Sequence, residues 1–210
     1  MFLHEQLYRS PTAMETLKTL AITVCGAGAL GANVTEGLAR MGFGALTVLD
    51  RDRIEEHNLS TQPYQRSEIG SPKAKMLANS LYRAVGVAIA PIHKELNAQN
   101  ARKLLKGSQL VIDTFDNAAS RQVLKDWGDR TQTPCLHAGM AADYGEVIWN
   151  PHYRVPAGGG EDICDYPLAR NLVMLTVAVT CEVATDFVLT GTQRNFSITL
   201  RDLAIHPLSF

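Results

Sequence analysis

Apolar positions along the chain alternate between short β-branched runs and stretches with helical spacing. That alternation predicts a Rossmann-like α/β fold: a mostly parallel sheet with helices on both faces. Residues 20–25 (LAITVC) form an unbroken apolar run of strand length, and glycines follow at once. In Ala29–Met41, Leu30, Val34, Leu38 and Met41 fall on one helical face, and Gly42 and Gly44 end the helix. Residues 45–49 (ALTVL) read as the second strand, ending in Asp50. A polar loop over 51–71 leads to Ser71-Pro72, where proline at the first helical position starts a helix. Further strands are expected at 87–92, 110–112, 135–138, 147–149 and 196–200, with antiparallel strands toward the C-terminus. Helices are expected at 97–106, 117–128 and 168–190. Residues 1–18 read as a polar, partly helical lead-in, and 19–210 as one nucleotide-binding domain. The prolines and three successive glycines of 150–167 predict a mobile loop.

Hydrophobic residues make up 46% and charged residues 20%, an ordinary globular composition with enough apolar surface for a core. A formal net charge of −1 predicts no nucleic-acid partner. The longest apolar run, 172–181, is too short to span a bilayer, and Glu182 and Asp186 follow it, so no membrane association is expected. Cys25, Cys135, Cys164 and Cys181 form no Cys-x-x-Cys pair, and the N-terminus has no secretory pattern. Reduced thiols and a cytoplasmic location are therefore expected.

Gly26, Gly28 and Gly31 form G-x-G-x-x-G directly after a strand and at the opening of a helix. A phosphate on a helix N-terminus meets free N–H groups and the positive end of the helix dipole, and side chains there would block its approach. Asp50 ends the next strand, where a carboxylate can accept hydrogen bonds from ribose hydroxyls. Taken alone, this fingerprint points to NAD or FAD.

After Asp50 the chain reads D-R-D-R-I-E-E-H-N-L-S-T-Q, then I-G-S-P-K-A, then V-I-D-T-F-D-N-A-A-S-R. These ordered motifs resemble those of the ThiF/MoeB/ubiquitin-activating enzyme superfamily over about residues 17–200. The resemblance implies ATP-dependent adenylation of a carboxyl terminus, that of a small ubiquitin-like or sulfur-carrier protein, by a homodimer. It assigns Asp50 to the ribose, and Asp52, Asn58 and Gln62 to the nucleotide or its phosphates. Lys73 falls to the phosphates and Asp116 to Mg²⁺. Asp116 also stands where it could cap the following helix, and Asn117 and Arg121 match the motif as structural residues.

Two departures matter. Thr61 stands at the family's arginine in N-L-x-R-Q, and threonine cannot neutralise a phosphate. Arg66 lies nearby, and Arg9 is a candidate to enter a neighbouring subunit's site. The cysteine pairs that bind zinc in many relatives are missing, so no structural zinc is expected. Cys164 lies where some relatives carry the thiol that accepts the acyl group, although Asp162 and Asp165 would disfavour its thiolate. Two other functions stay open: a degenerate, non-catalytic nucleotide- or partner-binding subunit, and an NAD-dependent oxidoreductase.

Overall fold

The computed structural model describes residues 1–156 and 168–210. Among the described residues eight strands form one sheet in the order β3-β2-β1-β4-β5-β6-β7-β8. The strands β1 (Ile22–Cys25), β2 (Leu46–Leu49), β3 (Ala90–Ile92), β4 (Leu110–Asp113) and β5 (Cys135–Ala141) run parallel. The strands β6 (Tyr144–Trp149), β7 (Asn195–Thr199) and β8 (Ala204–Leu208) add on antiparallel. The order reverses at β1, which has β2 on one side and β4 on the other. A crevice therefore opens at the carboxyl ends of these strands, where such sheets take ligands.

Strand alternation sends side chains to two cores. Ile22, Val24, Leu46, Val48, Leu110, Ile112, Leu136 and Ala138 pack with α3 (Ala29–Met41), α4 (Lys73–Val85) and α7 (Arg170–Thr190). Cys25, Leu49, Val111 and Cys135 face the other way, toward α5 (Ala101–Leu104) and α6 (Ala118–Thr131). Helices thus cover both faces.

Several elements differ from the pattern-based expectation. The residues at 1–18 become two helices, α1 (Leu3–Arg9) and α2 (Pro11–Thr19), and Leu17 is fully buried in the main core. Ser10 caps α2 by accepting a bond from the Ala13 amide, with Pro11 at the first helical position. The third strand pairs only from Ala90, although Val87 and Ile89 are buried ahead of it. The helix expected at 97–106 is a single turn, and the Asn97 and Asn100 side chains accept from the amides just ahead of it. The last strand, β8, had no signal of its own. It contains Pro207, which an edge strand tolerates, and it forms by pairing back on β7. Of the loop expected at 150–167, residues 150–156 are described, and within them Asn150 and Tyr153 are buried and hydrogen-bonded rather than loose.

The helix α7 has 21 residues and contains an 18-residue stretch of mean hydropathy 1.9, so by length and composition it could cross a bilayer, unlike the ten-residue run read from the sequence. It packs along α3 and the β5–β7 face, with Leu172, Val173, Val183 and Ala184 buried in the core. The hydroxyls of Thr180 and Thr185 donate to carbonyls one turn earlier in their own helix.

Candidate functional site

Gly28 is the N-cap residue of α3, and no side chain caps this helix. The first amides of the helix therefore lack intrahelical partners and face the crevice. The three loop glycines do different work. Gly26 has φ +102°, a conformation that L side chains rarely adopt. At Gly31 a Cβ would run into the Gly26 carbonyl and the Thr114 hydroxyl. At Gly28 a Cβ would meet no protein atom within 4 Å. The first and third glycines thus shape the loop, and the second leaves space over the helix N-terminus.

Three side chains hold the loop from outside. Asp50, 5% exposed, accepts from the Ala27 amide (2.6 Å) and the Asp52 amide (2.6 Å), one bond to each carboxylate oxygen. Each oxygen retains acceptor capacity for a ligand hydroxyl. Burial raises the Asp50 carboxyl above its ordinary value, partly opposed by those two amides and by Lys73. Tyr64 donates to the Ala27 carbonyl (2.9 Å), and Thr114 donates to the Cys25 carbonyl (2.9 Å). Neither Tyr64 nor Thr114 stood out in the sequence, because their partners are backbone atoms set only by the fold.

Lys73 opens α4 and is 7% exposed, with Nζ 3.8 Å from the Asp52 carboxylate. Asp52 itself is exposed and also lies 3.6 Å from the Arg51 guanidinium. Asp116 stands across β1, exposed on the loop after β4. The cap of α6 is Asn117, whose side chain accepts from the Ser120 amide (2.8 Å), so Asp116 does not cap that helix.

Between Asp52 and Lys73, the segment containing Asn58 and Gln62 folds against α3. Asn58 is buried and accepts from the Glu55 amide (2.9 Å), closing its own 3-10 turn. The Asn33 side chain donates to the Thr61 carbonyl (2.8 Å) and the Ala29 carbonyl (2.7 Å), tying this segment to the first turn of α3. Gln62 is buried, and its Oε1 has no partner among the described residues. Arg170, at the start of α7, donates to the Ser60 carbonyl (3.3 Å). Arg66 is exposed, 3.4 Å from Glu56. Arg9 binds Glu5 (2.8 Å) and Glu182 (2.6 Å) of its own chain.

Behind Asp116 lies a buried polar network. Asp113 accepts from the Phe115 amide (3.0 Å) and bonds His137 Nδ1 (2.8 Å), and it lies 3.9 Å from Arg121. His137 Nε2 bonds the Asn150 side chain (2.7 Å), and its ring stacks on Tyr153 at 3.9 Å. Arg121 donates to Tyr153 (2.8 Å) and to the Ala138 carbonyl (3.1 Å). Burial alone would raise Asp113. The Arg121 charge and the bond from His137 outweigh it and hold the carboxyl below its ordinary value. The sequence showed Arg121 only as a motif residue, and its pairing with Asp113 appears in the fold. His137 and Tyr153 gave no signal, since they meet only across strands.

Cys164 lies outside the described residues. The other thiols are buried: burial pushes Cys25 far up, and Cys135 and Cys181 up to about 12. Among the described residues no group of three or more His, Cys, Asp or Glu side chains is placed to hold a metal ion.

The chain is 31% identical over 133 residues to the SAMP-activating enzyme E1 of Haloferax volcanii, covering 62% of this chain and 49% of that protein. It is 34% identical over 119 residues to the sulfur carrier protein adenylyltransferase of Thermus thermophilus, covering 55% of this chain and 44% of the relative. The chain thus spans about half the length of these curated relatives. Among solved structures, E. coli MccB bound to ATP superposes with a TM-score of 0.82 at 19% identity, over 99% of this chain and 69% of that one. MccB with MccA-N7isoASN gives a TM-score of 0.84 at 18% identity, over 99% and 70% of the two chains; both are likenesses of fold. The family model described as ThiF family matches residues 5–160, which takes in the glycine loop, Asp50, Lys73 and Asp116, and the chain belongs to the ThiF family.

Proposed function

We propose that the chain binds Mg·ATP in the crevice at β1 and adenylates a carboxylate, the C-terminus of a small ubiquitin-like or sulfur-carrier protein. The observation that carries this reading is the uncapped start of α3 beneath open space at Gly28, with the buried cation Lys73 on one flank and Asp116 on the other. Relatives named as a sulfur carrier protein adenylyltransferase and a SAMP-activating enzyme support it.

In this reading the amides at the start of α3 cradle phosphate oxygens, and Asp50 accepts from a ribose hydroxyl. Lys73 neutralises phosphate charge. A single carboxylate suits Mg²⁺, which takes its remaining ligands from water and phosphates, so Asp116 would hold it, and the ion when bound supplies further charge neutralisation. A carboxylate oxygen of the partner attacks the α-phosphorus. The bond from that phosphorus to the α–β bridging oxygen breaks, and pyrophosphate leaves with the electron pair. The chain contributes positioning and fixed charge rather than a covalent intermediate. The three described cysteines are buried and held as thiols, so an acyl transfer to sulfur falls to Cys164 or to a thiol of another protein. A cytoplasmic homodimer goes with this reading. The exposed Leu7 on α1 and Met174 on α7 support pairing through that side.

Thr61 favours a second reading, a nucleotide-binding subunit that is silent until a partner subunit completes it. ATP–pyrophosphate exchange with candidate carrier proteins separates the two. Exchange by the chain alone supports adenylation, and ATP binding with exchange only after a second subunit is added supports the alternative. A thermal-shift comparison tests the nucleotide itself: Mg·ATP at a hundredfold its Kd should stabilise the fold by about 2.7 kcal/mol. Stabilisation by NAD and none by Mg·ATP would sink both readings.

A further inference from the structure

We infer that Arg170 is a phosphate-contacting residue of this site. The assignment rests on the ATP reading above but names a group outside every glycine-loop and acid motif.

Three independent contacts place Arg170 at the nucleotide edge. Its neighbour Leu168 bridges to Ala142, just past the carboxyl end of β5, so the start of α7 lies on the same edge of the sheet as the glycine loop. Arg170 Nη1 donates to the Ser60 carbonyl, and the next residue, Thr61, is tied through Asn33 to the first turn of α3. Farther along, Cys181 bonds the Val34 carbonyl and lies against Gly37, so α7 runs beside α3 from that edge inward. Helical rise then places Arg170 along the axis. Arg170 is eleven residues, about 16 Å, up the helix from Cys181, while Gly28 is six residues, about 9 Å, before Val34. Measured along the helix axes, Arg170 therefore stands level with or beyond the first turn of α3, at the end where a phosphate would meet its amides.

The chemistry fits the need. The triphosphate and the departing pyrophosphate carry several negative charges. The buried cation of the described crevice is Lys73, and Thr61 adds none. Arg170 is exposed, and the bond to Ser60 uses one of its five donors. Among the described residues the rest of the planar guanidinium has no hydrogen-bond partner, and its geometry suits bidentate contact with phosphate oxygens. A side chain from a different helix would thus supply the charge that the segment around Thr61 lacks.

The test compares Mg·ATP and AMP binding by titration calorimetry for the wild type, Arg170→Ala, Arg170→Gln and Arg170→Lys, with melting temperatures as the folding control. Glutamine retains a donor for the Ser60 carbonyl but no charge, so it separates bracing from phosphate contact. The expected result is a loss of about tenfold or more in Mg·ATP affinity for the alanine and glutamine variants, the size of a charge-assisted bond. AMP affinity should change less than twofold, and lysine should recover part of the loss. Equal losses for ATP and AMP, full ATP affinity in the alanine variant, or rescue by glutamine would each overturn the assignment while leaving the ATP reading intact. A wild type that binds neither nucleotide overturns both.

Discussion

At the scale of single residues, the G-x-G-x-x-G fingerprint separates into shape and space. Gly31 packs against the Gly26 carbonyl and Thr114, while Gly28 has an open face. Gly31→Ala should cost about 1–3 kcal/mol through overpacking, read as a lower denaturation midpoint. Gly28→Ala should keep the wild-type midpoint yet lose Mg·ATP binding, because its added methyl takes the volume a phosphate needs. Equal destabilisation by both changes would mean that Gly28 is a packing glycine too. The same distinction divides the polar residues. Asn58 uses its carbonyl oxygen on its own turn, whereas the Oε1 of Gln62 is buried without a partner among the described residues and Asp116 is exposed. A motif match cannot make that division, since it records residue types and not their partners.

At the scale of elements, the strongest periodic signals gave the surest boundaries. The stripe of Leu30, Val34, Leu38 and Met41 defined Ala29–Met41, and glycine at the left-handed position (Gly42, φ 102°) ends that helix. Elements whose identity depends on a neighbour were harder to read. The strand β8 exists because β7 lies beside it, and α5 closes only a single turn behind amides that asparagine side chains hold. The helix α2 illustrates the third case. Its composition is polar, yet Leu17 on its inner face is fully buried. Leu17→Ala should destabilise the protein by about 2–5 kcal/mol, measured by denaturant unfolding, which would make residues 1–18 part of the fold rather than an appendage. An unchanged midpoint would return them to the status of a lead-in.

At the scale of the whole molecule, the Asp113 network joins β4, β5, α6 and the segment after β6 behind the proposed phosphate edge. Because the folded Asp113 carboxyl is held below its ordinary value of 3.8, its ionised form stabilises the native state. That contribution is fully present above the ordinary carboxylate range and is lost as pH falls through the lower folded value. Asp113→Asn should therefore cost about 3–5 kcal/mol near neutral pH, where it leaves Arg121 buried beside an uncharged group. The gap from wild type should close in acid below pH 3.8. A gap that stays constant with pH, followed by chemical denaturation, would show that Asp113 acts through packing and not through charge.

The sequence by itself determined the class of fold, the glycine loop and the order of the acid and lysine motifs. Those features are local: a run of apolar residues, a turn that only glycine can make, a carboxylate at a strand end. Tertiary structure alone decided which of those residues face the crevice and which are consumed inside the fold. It turned Asp50 into a brace for the Ala27 amide, gave the helix cap to Asn117 instead of Asp116, and buried the thiols of Cys25, Cys135 and Cys181. It also brought Arg170 to Ser60 across 110 positions of chain. Burial and hydrogen-bond partnership are properties of space, and residues far apart in the chain acquire them only when the sheet and its helices have closed around them.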